Sequence, residues 1–457
     1  MNMAGISLAE KKKAVDMTRG STARHLISFA LPLLLGNIIQ QLYNTVDAWV
    51  VGNYASNEAF SAVGSVGPIT YVLIGLFMGL STGVGTVISQ FYGARHPERV
   101  RDTVHTAVVM TFALGILFTL VGLAFTPGML KLMKMPAGVM PEATTYLRIY
   151  FAGVMGLLFY NLGSAILRAV GDSRRPFFFL LAAAVLNILL DLLFVVEFRM
   201  GVAGVAWATV IAQGVSAVLV VVTLMRSEDC VRLELRCLKI HWDVLGKIFR
   251  VGIPAALQLA VTSFSNVFVQ SYINHFGENF MSGWTAYSKI NQIVILPMQS
   301  ISLSITTFVG QNLGANLAQR AKKGVWIAFG LSAGTAAALM IPMMILAPQL
   351  VAFFNPRQEV VEFGTLLLRI ISPFYLVYCV HDTLGGALRG AGNGKIPMIF
   401  TLVCFVGFRQ LYLFVMANYI SNQVIPIAMS FPAGWILSAT LVMLYFRRTK
   451  LTATRLV

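Results

Sequence analysis

The sequence predicts an all-α integral membrane protein, with twelve transmembrane helices in two pseudo-symmetric six-helix bundles. Three observations carry that expectation: an apolar composition, twelve apolar runs of membrane length, and a long internal repeat. Of 457 residues, 57% are hydrophobic and 11% charged, with a mean hydropathy of +0.76. A soluble domain carries about a quarter charged residues, so lipid must solvate most of this surface. The net charge of +16 does not mark a nucleic-acid binder, because Lys and Arg recur in short clusters between apolar runs.

Apolar runs of roughly 20 residues or more, each able to cross a hydrocarbon core of about 30 Å, fall near 26–51, 60–82, 102–126, 146–167, 176–197, 202–224, 248–273, 284–308, 323–347, 363–388, 396–418 and 425–446. Backbone polar groups in lipid find no water, and the runs are too long for barrel strands, so each is a helix and a β-barrel is excluded. Lys11, Lys12 and Lys13 precede the first run. That run is too long for a signal peptide and lacks a small-residue cleavage site, so it reads as a retained helix. Cys230 and Cys237 lie in a basic loop, Cys379 and Cys404 inside spans. Their scatter implies no disulfide framework, and with His241 the loop pair fits no standard zinc spacing.

With the amino terminus inside, about 26 of the 34 Lys and Arg fall on one side, the asymmetry of cytoplasmic loops. The clusters include Arg95, Arg99 and Arg101, Arg174 and Arg175, the 226–250 segment, and Arg320, Lys322 and Lys323; the opposite loops near 52–59, 274–283 and 419–424 carry none. Both termini are therefore expected inside.

Sliding the sequence on itself gives matches at a shift of about 221 residues, the mark of a duplication. Pro32 falls on Pro254 and Asn44 on Asn266. Gln90-Phe91-Tyr92-Gly93-Ala94 falls on Gln311-Asn312-Leu313-Gly314-Ala315, and Leu167-Arg168 with Gly171 and Pro176 on Leu388-Arg389 with Gly392 and Pro397. The expected organisation is a cytoplasmic tail 1–24, an amino-terminal lobe 25–224, a cytoplasmic linker 225–247, a carboxy-terminal lobe 248–446 and a tail 447–457. Six spans per half give both lobes the same polarity, an arrangement suited to rocking about a shared cleft.

Of eighteen Asp and Glu, only Asp47, Asp191 and Asp382 fall well inside apolar runs, and intramembrane carboxylates are functional candidates by default. The alternative is a structural pairing with Lys289 or Arg409, the basic residues deep in spans, both in the other half from Asp47 and Asp191. Asp47 and Asp191 each lie about five or six residues before their helices leave on the outer side, roughly 8–9 Å deep at about 1.5 Å per residue. Asn187 precedes Asp191 by one turn, and Thr209 lies about 10 Å down the next helix. Carboxylate, amide and hydroxyl oxygens at one depth suit Na⁺, or a proton shared between two carboxyls. Asn161 is a further candidate, placed deeper. Pro32, Pro68, Pro254, Pro297 and Pro342 lie in or near spans, where a missing N–H permits a hinge or a static kink.

The run Leu31-Pro32 to Gly36-Asn37, then Gln40, Tyr43-Asn44, Asp47 and Gly52, with Gln90-Phe91-Tyr92-Gly93-Ala94 and Leu167-Arg168-Ala169-Val170-Gly171-Asp172, resembles the multidrug and toxic compound extrusion (MATE) family, DinF-like branch. The likeness covers nearly the whole chain. It implies a V-shaped pair of six-helix lobes, expected as a monomer in a prokaryotic inner membrane, exporting cationic amphipathic compounds by H⁺ or Na⁺ antiport. It implies cation coupling at Asp47, Asn161, Asn187, Asp191 and Thr209, with Na⁺ at Asp47, Asn187, Asp191 and Thr209, and a hinge at Pro32. Gln40, Tyr43 and Asn44 would line the substrate cleft. Where NorM-like members place a glutamate on the seventh helix this chain has Thr262, although Tyr378 and Asp382 remain as a second-lobe site.

Two other classes compete. A flippase for a lipid-linked or large amphiphilic molecule would want several cleft arginines for phosphate. A membrane enzyme would want a nucleotide loop, an HExxH helix or a cofactor domain, and the sequence carries none of these motifs; no cofactor is expected.

Overall fold

The computed structural model describes residues 15–133 and 135–457; Lys11, Lys12 and Lys13 lie outside the described residues. The first half runs α1 Thr22–Tyr54, α2 Asn57–Gly93, α3 Pro97–Leu132, α4 Met140–Ala152, α5 Val154–Ala169, α6 Arg174–Asp191 and α7 Gly201–Met225. The second runs α8 Trp242–Asn274, α9 Glu278–Gly314, α10 Ala318–Ile345, α11 Ala347–Phe354, α12 Gln358–Ile371, α13 Tyr375–Gly390, α14 Lys395–Thr401, α15 Arg409–Val415, α16 Val424–Ala428 and α17 Ser430–Arg448. Short 3-10 or π turns, and a single turn residue at Met429, join some of these into longer spans, so that Gln358–Gly390, Lys395–Ile420 and Val424–Arg448 each cross once. Among the described residues, eleven stretches are long and apolar enough to cross a membrane, and the bent pair α4–α5 makes a twelfth. Each half contributes six.

The fourth span departs from the single helix expected over 146–167: α4 and α5 meet at a bend of 47°. The break falls at Gly153, where a Cβ would lie 2.1 Å from Val210 Cγ1, so α7 packs directly against bare backbone. Elsewhere the helices outrun their apolar runs. At 37 residues, α2 spans about 55 Å, because its end beyond residue 82 is packed on protein and needs no lipid-matching side chains.

That packed end is where the lobes meet. Gly93 and Gly314, at the ends of α2 and α9, press on each other's helices: a Cβ on Gly93 would fall 1.9 Å from Gln311 O, and one on Gly314 2.0 Å from Gln90 O. Small residues let backbones approach where lipid offers no hydrophobic drive. Above this contact α1 and α8 exchange partners. Leu26, Phe29 and Leu33 of α1 belong to a buried cluster with Ile305, Phe308 and Leu388 of the second half, while Val244, Ile248 and Val251 of α8 join Val84, Ile88 and Val104 of the first. Asn37 Nδ2 also donates across the seam to Ser300 Oγ at 3.4 Å.

Between α7 and α8 the basic linker is tied to the start of α3: Arg101 pairs with Glu234, and Arg99 Nη2 lies 2.9 Å from Asp243 Oδ2. Cys237 Sγ donates to Glu234 Oε2 at 3.5 Å, and His241 faces Asp102 at 3.5 Å. Burial, with Asp229 alongside, pushes the Cys230 thiol up to about 11. Among the described residues no group of three His, Cys, Asp or Glu is placed to hold a metal.

Candidate functional site

Asp47 of α1 and Asp191 of α6 face each other inside the first lobe. Asp47 is 8% exposed and Asp191 fully buried, and their carboxyl groups are close neighbours. Two carboxylates are both acceptors, so they can bond each other only when one of them holds a proton. Asn187, one turn before Asp191 on α6, is 2% exposed. Immediately after Asp191 the helix widens into π turns over Leu192–Glu197, a distortion that re-aims side chains next to it.

Around the pair, polar atoms lack partners. Asp47 Oδ1, both Asp191 oxygens, Asn187 Oδ1 and Nδ2, Thr209 Oγ1 and Gln213 Oε1 are buried without a hydrogen-bond partner. Such groups are expensive to leave unmet in a protein interior, and more so across a bilayer. A narrow cavity lined by Tyr43, Leu180, Ala183, Asn187, Thr209, Ala212 and Gln213 opens beside them, with room for about one water. Six of the unpartnered atoms are oxygens, the donor set of a small hard cation.

The structure thus brings together Asp47, Asp191, Asn187 and Thr209, four of the five residues expected to act as a set. Asn161 Nδ2 instead donates to Leu157 O of its own helix at 2.8 Å. Of the expected cleft residues, Asn44 is exposed, whereas Tyr43 turns into the lobe and its hydroxyl accepts from Gln213 Nε2 at 3.4 Å; Gln40 lies near that hydroxyl. Pro32 sits inside α1 without ending it, as Pro254, Pro297 and Pro342 do in α8, α9 and α10. Pro68 falls within α2.

Gln213 is a site residue that sequence reasoning missed. It follows Thr209 by one turn on α7, so the same spacing that linked Asn187 to Asp191 would have found it. Tyr146 of α4, close enough to sense the charges of Asp47 and Asp191, left no such signal, since its approach depends on the packing of a distant span.

The acids have no basic partner of the kind weighed from sequence. Lys289 is exposed on α9. Arg409, 3% exposed, donates from Nη2 to Ser265 Oγ at 2.8 Å and Asn266 Oδ1 at 2.9 Å and stacks over Phe431, all within the second lobe. On α13, Tyr378 and Asp382 are one turn apart. Asp382 Oδ2 is unpartnered, and its backbone carbonyl accepts from Ser302 Oγ at 2.8 Å. Thr262 Oγ1 donates to Gln258 O of its own helix at 2.7 Å.

A two-lobed bundle of twelve membrane helices around a shared cleft is an architecture that alternating-access transporters use. Profile comparison makes the class specific. The MatE family profile matches residues 32–193 and 254–415, once in each half, and the chain belongs to that family. It is 30% identical to the probable multidrug resistance protein YpnP of Bacillus subtilis (strain 168), over 97% of this chain and 99% of that one. It is 23% identical to the multidrug export protein MepA of Staphylococcus aureus (strain MSSA476), over 83% and 84%. Its fold matches a crystal structure described as MATE in the bent conformation, with a TM-score of 0.91, 23% identity, and 97% and 98% of the two chains covered.

Proposed function

We propose that this chain is a secondary active antiporter that exports cationic or amphipathic small molecules in exchange for H⁺ or Na⁺ by alternating access. The observation that carries the reading is the acid pair, which has no fixed cation among the described residues. Carboxyls buried at membrane depth are sustainable when a mobile cation visits them, and Asp47 and Asp191 with Asn187, Thr209 and Gln213 offer such a cation unpartnered oxygens. A proton or Na⁺ bound there cancels the negative charge that would hold a cationic substrate in the same lobe. Ion and substrate therefore compete, and competition for one site reached from alternate sides is antiport.

Helix α1 links that site to the seam, since it carries Asp47 past its midpoint and packs Leu26, Phe29 and Leu33 on the opposite lobe. A bend at Pro32, between the two, would transmit occupancy to the lobe contact. Asn44 would border the substrate cleft, and Tyr378 with Asp382 would form a secondary site on the other wall. Asn161 would support the ion site from below. The basic loops support a cytoplasmic position for both termini and the 225–247 linker, with lobes over 25–224 and 248–446 in an inner membrane. The relatives YpnP, a probable multidrug resistance protein, and MepA, a multidrug export protein, support a drug-like substrate class.

The flippase reading is less well supported, because Arg409 is committed to Ser265 and Asn266 inside its lobe and Arg389 donates to Ser302 Oγ at 3.3 Å. Efflux of ethidium from cells expressing the protein, with and without a proton uncoupler and with and without Na⁺, tests the proposal. Loss of efflux on collapsing one of the two gradients supports it; efflux indifferent to both overturns it.

A further inference from the structure

The duplicated motif that begins at Gln90 and Gln311 lies away from the acid pair, at the place where the lobes touch. Both side chains are fully buried. Gln90 Nε2 donates to Gly390 O of the opposite lobe at 2.8 Å, and its Oε1 accepts from Leu456 N–H of the carboxy-terminal tail at 2.8 Å. Gln311 repeats the pattern: Nε2 donates to Ala169 O across the seam at 2.8 Å, and Oε1 accepts from Met17 N–H of the amino-terminal tail at 3.0 Å. The two glutamines are 221 positions apart, as are Ala169 and Gly390, so one device is used twice.

Each tail is held further along. Met17 is buried in the cluster of Phe308, Leu313 and Leu388, and its carbonyl accepts from Arg320 Nη2 at 3.2 Å, which also reaches Arg19 O at 3.1 Å. Leu456 is buried in the cluster of Phe91, Ala169 and Val170. Beside it, Thr454 Oγ1 donates to Ala391 O at 3.1 Å and Arg455 Nη2 to Gly314 O at 3.1 Å. Gly171 and Gly392, again 221 apart, both sit at φ +91°. A Cβ would lie 2.3 Å from Val15 O at the first and 2.6 Å from Thr454 O at the second. The tails therefore dock on turns that a side chain would close.

A primary amide carries a donor and an acceptor at one tip, so each glutamine joins its own helix, the opposite lobe and a tail. Parting the lobes at this end would strand buried amide and carbonyl groups together, which makes the set cooperative. We propose that the two tails are crossed straps that hold the lobes closed at this end, and that opening here requires Gln311 to release Met17 and Gln90 to release Leu456. The inference rests on the alternating-access reading above, but its test follows the seam itself and needs no substrate.

The test uses full-length protein in nanodiscs, with Cys230, Cys237, Cys379 and Cys404 replaced by serine and a reporter thiol at Ser89→Cys, which faces Gly310. Maleimide labelling of the reporter, resolved by mass spectrometry, should be slow and should rise at least about 5-fold in Gln90→Ala, in Gln311→Ala and on removal of residues 451–457, as the open population grows. A second reporter inside the second lobe, Ser430→Cys, should stay slow in the same variants; if it accelerates equally, general loosening explains the data and the straps are overturned. Oxidising a Met17→Cys, Asn312→Cys pair should slow the Ser89→Cys reporter below its starting rate, reversibly with reductant. Rates unchanged within about 2-fold in both glutamine variants, or after oxidation, overturn the proposal.

Discussion

The two lobes share one layout and differ at the depth where the first keeps its acids. At the repeat shift, which is 222 along α1 and 221 along α6 and α7, Asp47 corresponds to Val269, Asn187 to Phe408, Asp191 to Tyr412 and Thr209 to Ser430. Val269 is packed into the second lobe's core, and Tyr412 gives its hydroxyl to Pro426 O at 3.1 Å. Next to these stands Arg409, the counterpart of Ile188, satisfied by Ser265, Asn266 and Phe431. At this depth one copy of the duplicated bundle has unmet acidic oxygens, and the other has neutral side chains and a fixed positive charge. A fixed cation repels a mobile one, so the difference argues that ion coupling is concentrated in the amino-terminal lobe.

The comparison is broken most directly at the acids. Asp47→Asn or Asp191→Asn should reduce ethidium efflux by about 100-fold or more, to background, with unchanged elution of the purified protein, because an amide can neither share the proton nor carry the charge. Efflux at normal rates in either variant would dissolve the asymmetry. Asn187→Ala, Thr209→Ala and Gln213→Ala each remove neutral oxygens and should cost about 3–10-fold, measured as initial efflux rates against the driving gradient. In the second lobe, Asp382→Asn should lower the rate by only about 2–3-fold; a loss equal to that of Asp47→Asn would show two coupling centres. Arg409→Met, a change to an apolar side chain of similar length, should leave efflux within about 2-fold, and a larger loss would give this arginine a part in transport.

Much of this was legible in the sequence because lipid simplifies the code. Twelve apolar runs, the basic loops and the 221-residue shift needed no knowledge of packing, and the meeting of Asp47 with Asp191 followed from two helices measured from the same membrane face. Asn187 came with them by helical spacing, and Thr209 by its depth along the next helix. Features set by tertiary contact were not legible: the break at Gly153, which answers to Val210; the inward turn of Tyr43 toward Gln213; and the burial of Arg409 within its own lobe. The Gln90 and Gln311 motifs were visible as a repeat, yet their hydrogen bonds to tails more than 290 residues away in sequence carry no periodic signal.

The central claim is that the Asp47–Asp191 pair carries the exchanged ion. Substrate-induced ion release from purified protein, followed with a pH indicator in weak buffer and with ²²Na⁺ in parallel, measures this directly. The account predicts release of H⁺ or Na⁺ from the unaltered protein and from Asp382→Asn, and none from Asp47→Asn or Asp191→Asn. Undiminished release from those two variants would contradict it.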